Sequence, residues 1–157
     1  MFNKITAIIK GIGLPEYGKK SKLWESEHEK LKLEISKVIS DYNSGNMKKV
    51  KKDLIKFRTD LFEHILDEEL AFMSMTKENI LVDEVEEELT KFRDSFSDIK
   101  KALNVFFKDY IHNNKPFDEE FKSRLEGIAE VLVKRIYFEE HNLYGLLVTK
   151  NSVTKKL

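Results

Sequence analysis

The chain has 157 residues, 41% hydrophobic and 36% charged, with 28 basic and 28 acidic side chains and a formal net charge of zero. That is enough apolar material for one domain, and the balanced charge argues against nucleic acid or an anionic membrane as partner. No cysteine is present, which excludes disulfides, thiolate-held metals and thiol catalysis; a metal must be held by His, Asp or Glu.

The first segment, residues 1–20, reads as an N-terminal arm. Phe2, Ile5, Ile8, Ile9 and Ile12 recur at roughly helical spacing with Lys4 and Lys10 between them. The run is too short to span a bilayer and lacks a leader's cleavage site. It reads as a cover for the domain, with a weak membrane or partner helix as the sharper alternative. Gly11 to Pro15 should end it. Without a span or a leader, a cytoplasmic location is expected.

Residues 21–150 then show four helical stretches and no strand alternation. Helix one is expected over Ser21–Tyr42, with the stripe Trp24, His28, Leu31, Ile35, Val38 and Tyr42. Gly45 is placed to close it as a left-handed cap. Helix two, Met47–Met75, has Val50, Leu54, Phe57, Leu61, His64, Glu68, Phe72 and Met75 on one face. Met73 reads as core filler.

Helix three, Asn79–Ile111, carries Val85, Leu89, Phe92, Phe96, Ile99, Leu103, Phe106 and Tyr110. A turn over His112–Pro116 leads to helix four, Phe117–Lys150. Its stripe is Phe121, Leu125, Ile128, Leu132, Arg135, Glu139, Asn142 and Leu146. Residues 151–157 form a polar tail. Four such helices with short loops predict an all-α fold, an antiparallel up-down-up-down four-helix bundle. Its oligomeric state is not legible.

The odd members of the stripes are ionisable. His28, His64, Glu68, Arg135 and Glu139 stand where Leu or Phe belongs, and buried charges are costly unless paired or bound to metal. Counting from the turns at ~1.5 Å per residue puts them at one level of the bundle. His64 and Glu68 share a helix face one turn apart, so both can grip one ion. Carboxylate with imidazole suits iron, manganese or zinc. His112 and His141 read as surface residues.

At these residues the chain resembles the hemerythrin-like, HHE cation-binding family. Trp24-Glu-Ser-Glu-His28-Glu-Lys-Leu31 resembles its first-helix signature, and His64-Ile-Leu-Asp-Glu68-Glu69-Leu-Ala-Phe-Met73 its second. Arg135-Ile-Tyr-Phe-Glu139-Glu140-His-Asn-Leu-Tyr144 resembles its fourth. The resemblance implies a bundle holding non-haem iron, one or two ions, with dioxygen as a further partner and a role in binding or sensing rather than turnover. It implies His28, His64, Glu68 and Glu139 as metal ligands, with Glu140 as the alternative to Glu139.

This chain departs from the family at Arg135, where the fourth helix usually supplies His, and at helix three, which has no His. In one register Glu84 and Glu88 stand there instead; in the register one residue on, Val85 and Leu89 do. Glu88 is therefore a further candidate ligand. Two other readings stand beside the metal one. Arg135 can neutralise the carboxylates in a metal-free structural or interaction protein, or inward-facing Glu84 and Glu88 can complete a carboxylate-bridged di-metal oxidase.

Overall fold

The computed structural model of the protein describes residues 14–77 and 83–145. The arm up to residue 13, the expected helix-three start at Asn79, the reach of helix four from Leu146 to Lys150 and the tail 151–157 lie outside the described residues. Within them the fold is all-α: α1 is Leu14–Asn43, α2 Met47–Lys77, α3 Asp83–Phe107 and α4 Glu119–Phe138. The last two run on into single π-helical turns, Lys108–His112 and Glu139–Leu143.

The helix ends follow local chemistry. Pro15 sits in the first turn of α1, ahead of the expected helix start at Ser21. That position tolerates proline because the missing N–H has no intrahelical partner anyway. Gly45 takes the expected left-handed conformation at φ +76°. Asn46 Oδ1 accepts from Lys49 N at 3.2 Å and so caps α2. Asp118 caps α4 in the same way, accepting from Phe121 N at 3.1 Å. Lys51 of α2 donates to the Tyr110 and Ile111 carbonyls at 3.2 and 2.9 Å, a cation at a helix C-terminus where the dipole favours it.

The predicted stripes form the core. Val38, Val50, Leu54, Phe57, Phe121 and Leu125 are wholly buried. At one end Phe121 of α4 meets the rings of Tyr42 from α1, Phe106 from α3 and Tyr110 from the π turn after it, with centroids 4.8–5.9 Å apart. At the other end ring contacts run from Trp24 of α1 to Phe72 of α2, Phe92 of α3 and Phe138 of α4. These pairings are compatible with a four-helix bundle. The core is aromatic near the Gly45 turn and polar toward the other end.

Two expectations about buried positions fail, for separate reasons. Asn142 is exposed, whereas Leu143 and Tyr144 are buried. The π turn at Glu139–Leu143 inserts one residue's worth of rotation, so the inner face moves on by one position. Met73 is 53% exposed; Phe72 beside it takes the inner position.

Truncating the aromatic cluster at its centre gives the first expectation. Phe121→Ala should cost about 3–5 kcal/mol of stability, the usual cost of emptying a buried aromatic position, measured by urea unfolding.

Candidate metal centre

Each of the odd residues is delivered by its helix to one place. His28, His64, Glu68 and Glu139 are all buried, and one donor atom from each lies within 4.8 Å of all the others. His28 and Glu68 have no accessible surface at all. The two imidazoles meet edge to face, with Nε2 atoms 3.0 Å apart. Glu139 Oε1 lies 2.9 Å from His28 Nε2, and Glu68 Oε1 lies 3.3 Å from His64 Nε2.

The outer nitrogens decide what the inner ones can do. His28 Nδ1 donates to Glu140 Oε2 at 2.7 Å, and His64 Nδ1 donates to Glu27 Oε1 at 2.7 Å. Each carboxylate holds an imidazole from another helix: Glu140 of the π turn after α4 holds His28 of α1, and Glu27 of α1 holds His64 of α2. An ionised carboxylate only accepts, so both Nδ1 atoms carry the proton. In their neutral forms both rings then aim Nε2 lone pairs at one point, which Glu139 Oε1 and Glu68 Oε1 also face. Four acceptors on one point require a positive charge between them, a proton or a metal ion.

Tyr144 and Arg135 complete the cluster. The Tyr144 hydroxyl donates to Glu68 Oε2 and lies 3.3 Å from both Glu139 Oε1 and His28 Nε2. Burial and the two carboxylates push its phenol far up, so it stays a donor. That bond occupies one oxygen of Glu68 and leaves Oε1 facing His64 Nε2 at 3.3 Å, where it has no hydrogen-bond partner as long as that nitrogen carries no proton. Arg135 Nε approaches Glu139 Oε2 at 2.9 Å and its Nη2 lies 3.6 Å from Glu68 Oε1. The Nε approach lacks hydrogen-bond alignment, so Glu139 Oε2 also remains unsatisfied. The guanidinium lies against two rings of α3, 3.3 Å from the Phe96 centroid and 4.2 Å from Phe92.

The protonation of the cluster without metal follows from these contacts. Burial opposes a charge on His64, but hydrogen bonds to Glu68 and Glu27 override it and raise its pKa to about 9. Burial would raise Glu68; the His64 and Arg135 charges and the Tyr144 hydroxyl instead hold it at about 2. Glu139 is pushed up to about 7 by burial and the charge of Glu68, against the pull of His28 and Arg135. The cation at the meeting point is then a proton on His64.

Glu88, the fifth candidate, does not join. Its side chain is 41% exposed and lies 3.8 Å from Lys91; Glu84 is at the surface as well. The phase of α3 explains both, since its inner positions go to Leu89, Phe92 and Phe96. Among the described residues the di-metal oxidase reading therefore lacks its third-helix carboxylates. His112 and His141 are exposed as expected. Sequence reasoning missed the roles of Glu27, of Glu140 (weighed only as an alternative ligand to Glu139) and of Tyr144. The first two sit beside inner-stripe residues, a position that marks carboxylates able to reach a neighbouring helix; Tyr144 gave no signal without the π turn.

A cavity of about 400 Å³ opens between α3 and α4 and reaches this cluster at His28, His64, Arg135 and Glu139. No family model, curated protein or solved structure matches the chain.

These three shifts are the cluster's contribution to the pH dependence of the metal-free protein. Glu34, pushed up to about 7 by burial and its hydrogen bond to Asp60, and Asp60, held at about 2 by Glu34 and Lys56, act in the same directions. Glu68 binds fewer protons folded than unfolded, so its contribution is lost as pH falls from 4.5 toward about 2. Glu139 and His64 bind more protons folded, so stability falls as pH rises from 4.5 through about 7, and again from 6.5 through about 9. Urea unfolding should find maximum stability near ~pH 5, and His64→Gln should flatten the decline between 6.5 and about 9.

Proposed function

We propose that this protein is a divergent hemerythrin-like domain that binds one non-haem iron ion, in order to sense or store metal or to respond to dioxygen. The observation that carries this reading is the convergence of two imidazole lone pairs and two carboxylate oxygens on a single buried point. Two nitrogen and two oxygen donors suit a first-row dication. The unsatisfied Oε1 of Glu68, which faces that point, is what a ligand offers when its partner is a cation. The family resemblance rests on the motif residues around His28, His64 and Glu139 and favours iron over manganese or zinc.

In this reading His28, His64, Glu68 and Glu139 hold the ion. Glu140 and Glu27 fix the imidazole tautomers and orientations, the usual duty of carboxylates behind metal-bound histidines. Tyr144 pins Glu68 Oε2 so that Oε1 faces inward. Iron supplies reversible redox change and affinity for small ligands such as dioxygen. One ion is favoured over two. On the α3 side the described residues offer rings rather than ligands, and the fixed Arg135 charge repels a second dication placed there.

A second reading has its own supporting contact. Arg135 sits 2.9 Å from Glu139 and 3.6 Å from Glu68. With a proton on His64 it can neutralise both, giving a metal-free polar layer in a structural or interaction protein. One comparison separates the two. Under the metal reading, protein produced with Fe(II) carries close to one iron per chain by elemental analysis. His64→Ala loses it, and chelation lowers the melting temperature because the ion binds only the folded state. Protein that stays metal-free in the presence of Fe(II), Mn(II) and Zn(II), with a melting temperature indifferent to chelator, supports the metal-free layer instead.

A further inference from the structure

α2 carries a second apolar stripe, on the side that its core stripe does not use. Leu66, Leu70 and Met73 recur at i, i+4 and i+7, the spacing of one helix face, and each is 53–55% exposed. The buried members of the same stretch, Leu61, His64, Glu68 and Phe72, hold the opposite face. Leu23 of α1 is 51% exposed. It shares a flank of α1 with Lys20 and Glu27 at i, i+3 and i+7, and both of those reach α2. Single exposed leucines are ordinary, but a contiguous stripe marks an interaction surface.

The charges around the stripe bear on what covers it. Glu63 is exposed, Asp67 pairs with Lys20 at 2.8 Å and Glu69 with Lys100 at 2.7 Å. In a two-fold contact between copies the same patch meets itself. Glu63, Asp67 and Glu69 of one copy then stand near those of the other. Four half-exposed side chains also fall short of the ~20–30 residues a side of a stable interface between separate molecules. A tethered segment needs less, because its effective concentration is on the order of millimolar.

The chain that leads into α1 enters beside this face. α1 and α2 run antiparallel, as the pairs Lys20–Asp67, Glu34–Lys56 and Asp41–Lys49 require. Leu14 precedes Lys20 by as many residues as Met73 follows Asp67, so the two stand at one level. Residues 1–13 hold Phe2, Ile5, Ile9 and Ile12 at i, i+3, i+7 and i+10, with Lys4 and Lys10 and no acidic residue. As a helix that segment measures ~20 Å, the length of α2 from Met73 back to Asp60. Gly11 and Gly13 stand where a reversal of the chain is needed, and glycine permits the backbone angles of a tight turn.

We propose that residues 1–13 turn back at Gly11–Gly13 and lie along the outer face of α2, with their isoleucines on Leu66, Leu70 and Met73 and their lysines among Glu63, Asp67 and Glu69.

Because the chain has no cysteine, an introduced pair reports the contact directly. Ile9→Cys with Leu70→Cys should close a disulfide within one chain at least tenfold faster than Ile9→Cys with Val133→Cys, whose second position is 49% exposed on α4. Leu70 and Val133 are both half in water, so neither change empties the core. In the parent, tryptic cleavage after Lys10 should be at least tenfold slower than in a variant carrying Leu66→Asp and Leu70→Asp. Equal closure of the two cysteine pairs, or equal cleavage of parent and variant, overturns the contact. A disulfide that forms only between chains gives the face to a second copy, and protection of Lys10 that appears only with phosphatidylglycerol vesicles gives the arm to a membrane; each overturns it as well.

Discussion

Two imidazole nitrogens held 3.0 Å apart are the constraint from which the polar end of this molecule follows. Left as neutral rings with protonated Nδ1 atoms, they repel. Glu140 and Glu27 fix those Nδ1 protons from outside, so neither ring can relieve the conflict by changing tautomer. A cation between the rings is the remaining solution, and Glu68 and Glu139 face the same point to receive it. The π turn serves this arrangement, because it rotates Tyr144 inward over Glu68. A regular helix would have turned Asn142 inward instead.

Arg135 is the other fixed charge, and its setting shows how a buried guanidinium is tolerated. The rings of Phe96 and Phe92 lie against its face, and the carboxylates of Glu139 and Glu68 lie along one edge. Cation–π contact and ion pairing together offset the loss of hydration. The same residue limits the site. It stands between the four donors and α3, where its charge opposes another dication. A chain with His at that position and on α3 would hold a different centre.

Much of this was legible before any coordinates. Helical spacing gave the four helices and their core faces. Counting residues from the turns placed His28, His64, Glu68, Arg135 and Glu139 at one level, because helix rise is nearly constant. What escaped depended on local departures or on side-chain reach. Tyr144 was hidden by a π turn that no spacing rule announces. Glu27 and Glu140 sit off the stripe and act across to another helix. Glu88 looked available only because the register of helix three was ambiguous by one residue, and the observed phase gives the inner positions to Leu89, Phe92 and Phe96. The start of α1 was misplaced because proline reads as a breaker even where a first turn accepts it. The cavity between α3 and α4 left no trace in the stripes, since its walls are ordinary core residues and Gly127.

The polar cluster and the cavity between α3 and α4 share Arg135, which links the fold's two departures from a filled bundle. The claim on which the account turns is that the converging donors bind a cation other than a proton. Anomalous diffraction at the iron edge, from crystals of protein loaded with Fe(II), tests it most directly. The account predicts a single peak between the two Nε2 atoms and the carboxylates of Glu68 and Glu139. No peak there, with His64 still donating a proton to Glu68, would contradict it.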